Sequence, residues 1–151
     1  MAYSSATAYA YFDTSALIKR YVNEPGRREV LQLLRKNDCV VSAVLPVEIR
    51  SALRRRVAEG TLDESRVAAI LKRFTADRPF WTFIEVSREV LTAAESLSAA
   101  HPLRALDAIH VASAQLFAVR IGSRPFTFVS ADVRQTTAAA ALRMDTRHIE
   151  S

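Results

Sequence analysis

The chain has 151 residues, 50% hydrophobic and 25% charged, a balance that fits one folded domain and excludes both a two-domain chain and a largely disordered one. Twenty-one Lys and Arg against sixteen Asp and Glu leave a formal charge of +5, and eighteen of the cations are arginine, so a polyanionic partner and a merely basic surface are both compatible with it. No apolar run approaches the ~18 residues of a membrane span, no secretory leader is visible, and the one cysteine, Cys39, cannot pair internally, which together point to a cytoplasmic protein.

Residues 1–8 are polar and are expected to form a flexible tail ahead of the domain. The first β-type run, Tyr9-Ala10-Tyr11-Phe12, passes directly into Asp13-Thr14-Ser15 and an apolar helical start at Ala16-Leu17-Ile18. Asp13 therefore stands at a strand-to-helix turn, where it can cap the helix or face a ligand. Lys19 and Arg20 follow on the same helix. Cys39-Val40-Val41 reads as a second strand with a buried, reduced thiol. The next helix, about Val44 to Glu59, sets Glu48 beside the apolar stripe of Leu45, Ile49, Ala52 and Leu53, and also carries Arg50, Arg54 and Arg55. Gly60 reads as its C-cap, and Thr61 or Asp63 as the N-cap of a helix running to Asp77. Trp81 to Ile84 forms a third strand, with Phe80, Trp81 and Phe83 expected in the core.

From Leu106 to Ile121 the helical pattern is apolar almost all round, so that helix is expected to be buried. A buried Asp107 must then cap, pair with an arginine, be protonated or hold a cation, because desolvating a lone carboxylate costs several kcal/mol. His110 on the same helix is expected to pack with a buried hydrogen bond. A fourth strand, Phe126 to Val129, repeats the first arrangement: Ser130-Ala131-Asp132 precedes a helix running to about Leu142.

Strands alternating with helices imply a parallel sheet covered by helices, and such sheets bind ligands beyond the carboxyl ends of their strands. Asp13, Glu48, Asp107 and Asp132 all fall on segments expected at that edge. Four carboxylates together repel unless cations separate them. All-oxygen ligation suits Mg²⁺, with Mn²⁺ as a substitute, better than zinc, which favours the scarce His and Cys.

Phe12-Asp13-Thr14-Ser15-Ala16-Leu17, Glu48, Leu106-Asp107-Ala108-Ile109-His110-Val111-Ala112-Ser113-Ala114 and Val129-Ser130-Ala131-Asp132 together resemble the PIN-domain nucleases. The likeness runs from about Tyr9 to about Arg147, and the length resembles a VapC-type toxin of a toxin–antitoxin pair. It implies a three-layer α/β/α fold on a parallel sheet of about five strands, and a metal-dependent endoribonuclease with Asp13, Glu48, Asp107 and Asp132 at the family's acidic positions. Thr14, Ser15 and Ser130 would orient those acids; Lys19, Arg20, Arg50 and Arg54, by their place on the helices that carry Asp13 and Glu48, fit either a grip on the RNA backbone or a solvated face open to an acidic partner. It also implies a VapB-type antitoxin and a homodimer. The chain departs from the pattern at Ala140-Ala141-Leu142-Arg143-Met144, where many relatives carry Leu-Gly after the last helix. One rival, an aspartyl-phosphate phosphatase, needs a second acid where Ser15 stands. Another is a PIN-like module that binds nucleic acid or protein with weak or no cleavage.

Overall fold

The computed structural model describes residues 7–151, so most of the expected tail, residues 1–6, lies outside the described residues. Five strands, β1 (Tyr9–Phe12), β2 (Asp38–Ser42), β3 (Thr82–Ile84), β4 (Phe126–Ser130) and β5 (Asp145–His148), form one sheet in the order β3-β2-β1-β4-β5. Every neighbouring pair is parallel. Helices α1 (Thr14–Leu17), α2 (Arg27–Lys36), α3 (Leu45–Ala58), α4 (Glu64–Asp77), α5 (Arg88–Ala100), α6 (Ala105–Ile121) and α7 (Val133–Ala141) complete the expected α/β/α arrangement.

The pleat sorts the core into two layers, because successive strand residues point to opposite faces. Ala10, Phe12, Val41 and Val129 pack under α1 to α4, against Leu17, Val30, Ile49, Leu53 and Phe74. Tyr11, Val40 and Phe128 pack under α5 to α7, against Val90, Leu97, Val111 and Ala138. Strands covered on both faces read as continuous apolar runs, which is why the three inner runs, β2, β1 and β4, were visible in the sequence, while the edge strand β3 showed through Phe83 and Ile84.

Two expectations change, and the fifth expected strand gains its place. The strand β5 is polar and exposed throughout, an edge strand joined to β4 by backbone pairing, so it carries no hydrophobic signal. Helix α6 is not buried all round: Leu106 near its start is 44% and Val119 near its end 75% exposed. Phe80 lies outside the core at 85% exposure, on a short 3-10 turn, whereas Trp81 and Phe83 pack against it.

The turn chemistry follows the sequence closely. Gly60 adopts φ +77° after α3, and Asp63, not Thr61, caps α4 by accepting the Arg66 amide at 2.7 Å. Gly26, at φ +82° before α2, has no room for a Cβ, which would collide with the buried side chain of Ile149. Within α4, Ile70 and Phe74 are spent on the core, so the stripe from Val67 to Phe74 is largely explained by packing.

Candidate active site

The carboxyl ends of β1 and β4 and the first turns of α3, α6 and α7 meet at one cleft of about 590 Å³, lined by Asp13, Glu48, Asp107 and Asp132. Asp13 leaves β1 as the N-cap of α1, and its carboxylate accepts the Ala16 amide at 3.1 Å. The Ser15 hydroxyl lies 2.8 Å from both of its oxygens and itself accepts the Ala131 amide at 3.0 Å, tying the two turns together. Asp13 is only 2% exposed. Burial raises its carboxyl above the usual range, although the charge of His110 and the hydrogen bonds from Ser15 and Ala16 oppose the rise.

Asp132 repeats this role on α7, accepting the Arg134 amide at 2.9 Å, while the Ser130 hydroxyl accepts the Asp132 amide at 3.0 Å. The Arg134 guanidinium grips Asp132 at 2.9 Å and holds its carboxyl below the usual range. The same guanidinium reaches Asp107 at 3.8 Å. Asp107 sits in the first turn of α6, where it accepts the Arg104 backbone amide at 3.3 Å. Gln135 joins the two halves of the cleft: its Nε2 donates to Asp13 at 3.0 Å and to Asp107 at 2.9 Å.

Glu48 accepts hydrogen bonds from the Thr14 hydroxyl at 2.8 Å and from Nε2 of His110 at 2.6 Å. The other ring nitrogen of His110 lies 2.8 Å from the Tyr11 hydroxyl, so the expected buried hydrogen bond exists and leads into the cleft. Burial pushes the Glu48 carboxyl up, but the His110 and Thr14 bonds and the His110 charge outweigh it, leaving the group below its ordinary value. Cys39 is buried, and burial pushes its thiol up, as befits an inert core residue.

The expected phosphate contacts divide. Lys19 is in the cleft wall, 3% exposed, with Nζ 3.7 Å from Glu24. Arg20 is instead turned to Asp77, which it grips through two bonds of 2.8 and 3.1 Å with the Tyr21 hydroxyl alongside. Arg54 pairs with Glu64 at 2.7 Å on the exposed side of α3, and Arg50 is exposed without lining the cleft. Arg55, Arg56 and Arg104 line it, Arg56 being bound to Glu24. A helical wheel for α3 was the missing signal: the exposed face and the cleft face of that helix both carry arginine. Gln135 and Arg134 were also overlooked, although both lie in the first turn after the Asp132 cap, the stretch that must face the strand ends.

Among the described residues, no three His, Cys, Asp or Glu side chains already converge as a finished metal cage. The oxygen donors of Asp13 and Asp107, bridged by one carboxamide, nevertheless suit Mg²⁺, which keeps several waters and binds through one or two carboxylates.

A family model described as the PIN domain matches residues 10–141, a span that contains all four acids. The chain belongs to the PIN-domain family. This PIN domain is 33% identical over 108 residues to Ribonuclease VapC45 of Mycobacterium tuberculosis (strain CDC 1551 / Oshkosh), covering 69% of this chain and 73% of that protein. Ribonuclease VapC49 of Mycobacterium tuberculosis (strain ATCC 25618 / H37Rv) matches with the same identity and coverage. Among solved structures, FitAcB from Neisseria gonorrhoeae superposes with a TM-score of 0.64 at 15% identity, over 91% of this chain and 95% of that one. A complex of VapBC2 from Rickettsia felis with a DNA fragment from its promoter gives 0.61 at 12%, over 94% and 99%. A toxin–antitoxin complex from Klebsiella pneumoniae gives 0.61 at 19%, over 83% and 88%. At these identities the structural likeness speaks for the PIN fold alone. No helix among the described residues is long and apolar enough to cross a membrane.

Proposed function

We propose that this PIN domain is a Mg²⁺-dependent endoribonuclease and the toxin of a VapBC-type pair, acting in the cytoplasm. The observation that carries the reading is the cleft itself, in which Asp13 and Asp107 share one bridging partner and Glu48 and Asp132 line the same walls. Ribonuclease names among the relatives and toxin–antitoxin complexes among the structural neighbours support it.

In this reading Asp13 and Asp107 would hold the ion, with Asp132 and Glu48 on the same walls as the further carboxylates available to it. The chemistry the ion would supply there is a more acidic water and neutralisation of the charge building on the phosphoryl group. Glu48, kept ionised by His110 and Thr14, is the carboxylate on the cleft wall that would orient an attacking water and accept its proton. Thr14, Ser15 and Ser130 fix the rotamers of the acids. Lys19, Arg55 and Arg104 hold the RNA phosphates at the cleft wall.

An antitoxin segment would cover the same mouth, where Val47 and Leu106 line the cleft at 72% and 44% exposure and offer apolar contact. A homodimer belongs to the same proposal. The test is incubation of the purified chain with RNA in Mg²⁺, in Mn²⁺ and in EDTA. Internal cleavage in both metals and none in EDTA is expected; binding of RNA without cleavage would favour the binding-module reading.

A further inference from the structure

Gln135 is 3% exposed, and its side-chain amide is committed in a one-sided way. A primary amide has two N–H donors. Both are directed to carboxylates, at 3.0 Å to Asp13 and 2.9 Å to Asp107. Its carbonyl oxygen, Oε1, is buried and has no hydrogen-bond partner among the described residues. Leaving a buried carbonyl unpaired is unfavourable, so the two carboxylates set the orientation of this amide against its own interest.

We propose that the Gln135 carboxamide is the stand-in for a divalent cation between Asp13 and Asp107: it relieves their repulsion in the ion-free protein, competes with the ion for the same oxygens, and so weakens the site's affinity. Gln135 is thus a positioning residue that tunes metal uptake. The N–H donors and an ion seek the same carboxylate oxygens, Oδ2 of Asp13 and Oδ1 of Asp107, so an ion shared there would compete with the amide for them. The orphaned Oε1 means that the amide gives up an already compromised arrangement when it lets go. Arg134 approaches the other oxygen of Asp107, at 3.8 Å, and so does not share the oxygen that the amide holds.

This inference rests on the reading of Asp13 and Asp107 as metal-holding residues, and its test separates the two. Gln135→Met keeps the length of the side chain and removes both donors without adding an oxygen ligand. Mn²⁺ binding to the full chain at pH 7.5, followed by the electron paramagnetic resonance of the free ion, is measured beside the thermal midpoint in EDTA. The variant is expected to bind Mn²⁺ about tenfold more tightly than the parent, the factor that goes with losing one competing hydrogen bond to a charged acceptor. Its midpoint in EDTA is expected to be lower. Gln135→Asn, too short to bridge both acids, should tighten binding in the same direction, and it decides the matter if the Met variant does not fold. Equal or weaker Mn²⁺ binding by a folded variant, with the parent binding normally, overturns this inference and leaves the nuclease reading standing. Absence of Mn²⁺ binding by the parent overturns both.

Discussion

Asp13 and Glu48 face one cleft, yet their carboxyls are displaced in opposite directions. Burial raises Asp13, whereas the bonds and charge of His110 outweigh burial at Glu48 and lower it. A lowered group adds stability above the ordinary carboxylate range and loses it as pH falls through its folded value. A raised group does the reverse, and ionisation of Asp13 costs stability as pH rises through its folded value. Glu48→Gln should therefore lower the thermal midpoint in EDTA near pH 6, and the gap to the parent should narrow on acidification below about pH 4. Asp132, also lowered, supplies the acid sensitivity that remains in the variant. Parallel midpoint–pH curves for the two proteins would contradict the Glu48 assignment. At this scale the four acids were legible because a carboxylate directly after a strand, or at the start of an apolar helix, needs a reason. Gln135 was not, because a neutral amide raises no such question until its partners, distant along the chain, are seen. Arg20 was misjudged for the same reason: proximity to Asp13 in sequence says nothing of Asp77, which captures it.

Helix α7 shows how an element can be well placed and still carry local strain. Its C-terminus closes with the Arg143 amide donating to Ala140 at 2.9 Å and the Met144 amide donating to Ala139 at 3.1 Å, the paired bonds of a Schellman motif. That motif needs a left-handed residue, and Arg143 fills the place at φ +64°. The missing glycine noted in the sequence is therefore felt in the backbone. Arg143→Gly should stabilise the protein by about 1 kcal/mol, seen as a midpoint roughly 2–4 °C higher; an unchanged or lower midpoint would show that the Arg143 side chain offsets the strain. The strand that follows, β5, escaped direct reading because its four exposed polar residues are held by β4 backbone alone, whereas β1 to β4 announced themselves through side chains. The ends of α3, α4 and α7 fell within a residue or two of expectation, since Gly60, Asp63 and Asp132 cap helices in the usual way.

The whole molecule exists as a frame for one edge. With β1 in the middle of the sheet, Asp13 lies where α1, the end of β4 and the starts of α3, α6 and α7 can all reach it, and long helical crossovers bring together acids that stand far apart in the chain. The parallel order predicted that convergence, while the detailed pairing of each acid with Gln135, Arg134 or His110 depended on three-dimensional packing. The most direct test of the account is the rate of RNA cleavage in Mg²⁺ by the parent beside Asp13→Asn and Asp107→Asn, each checked for a cooperative thermal transition. The parent is expected to cut RNA, and both folded variants to lose at least about a hundredfold in rate. Cleavage by either variant at the parental rate would contradict the account.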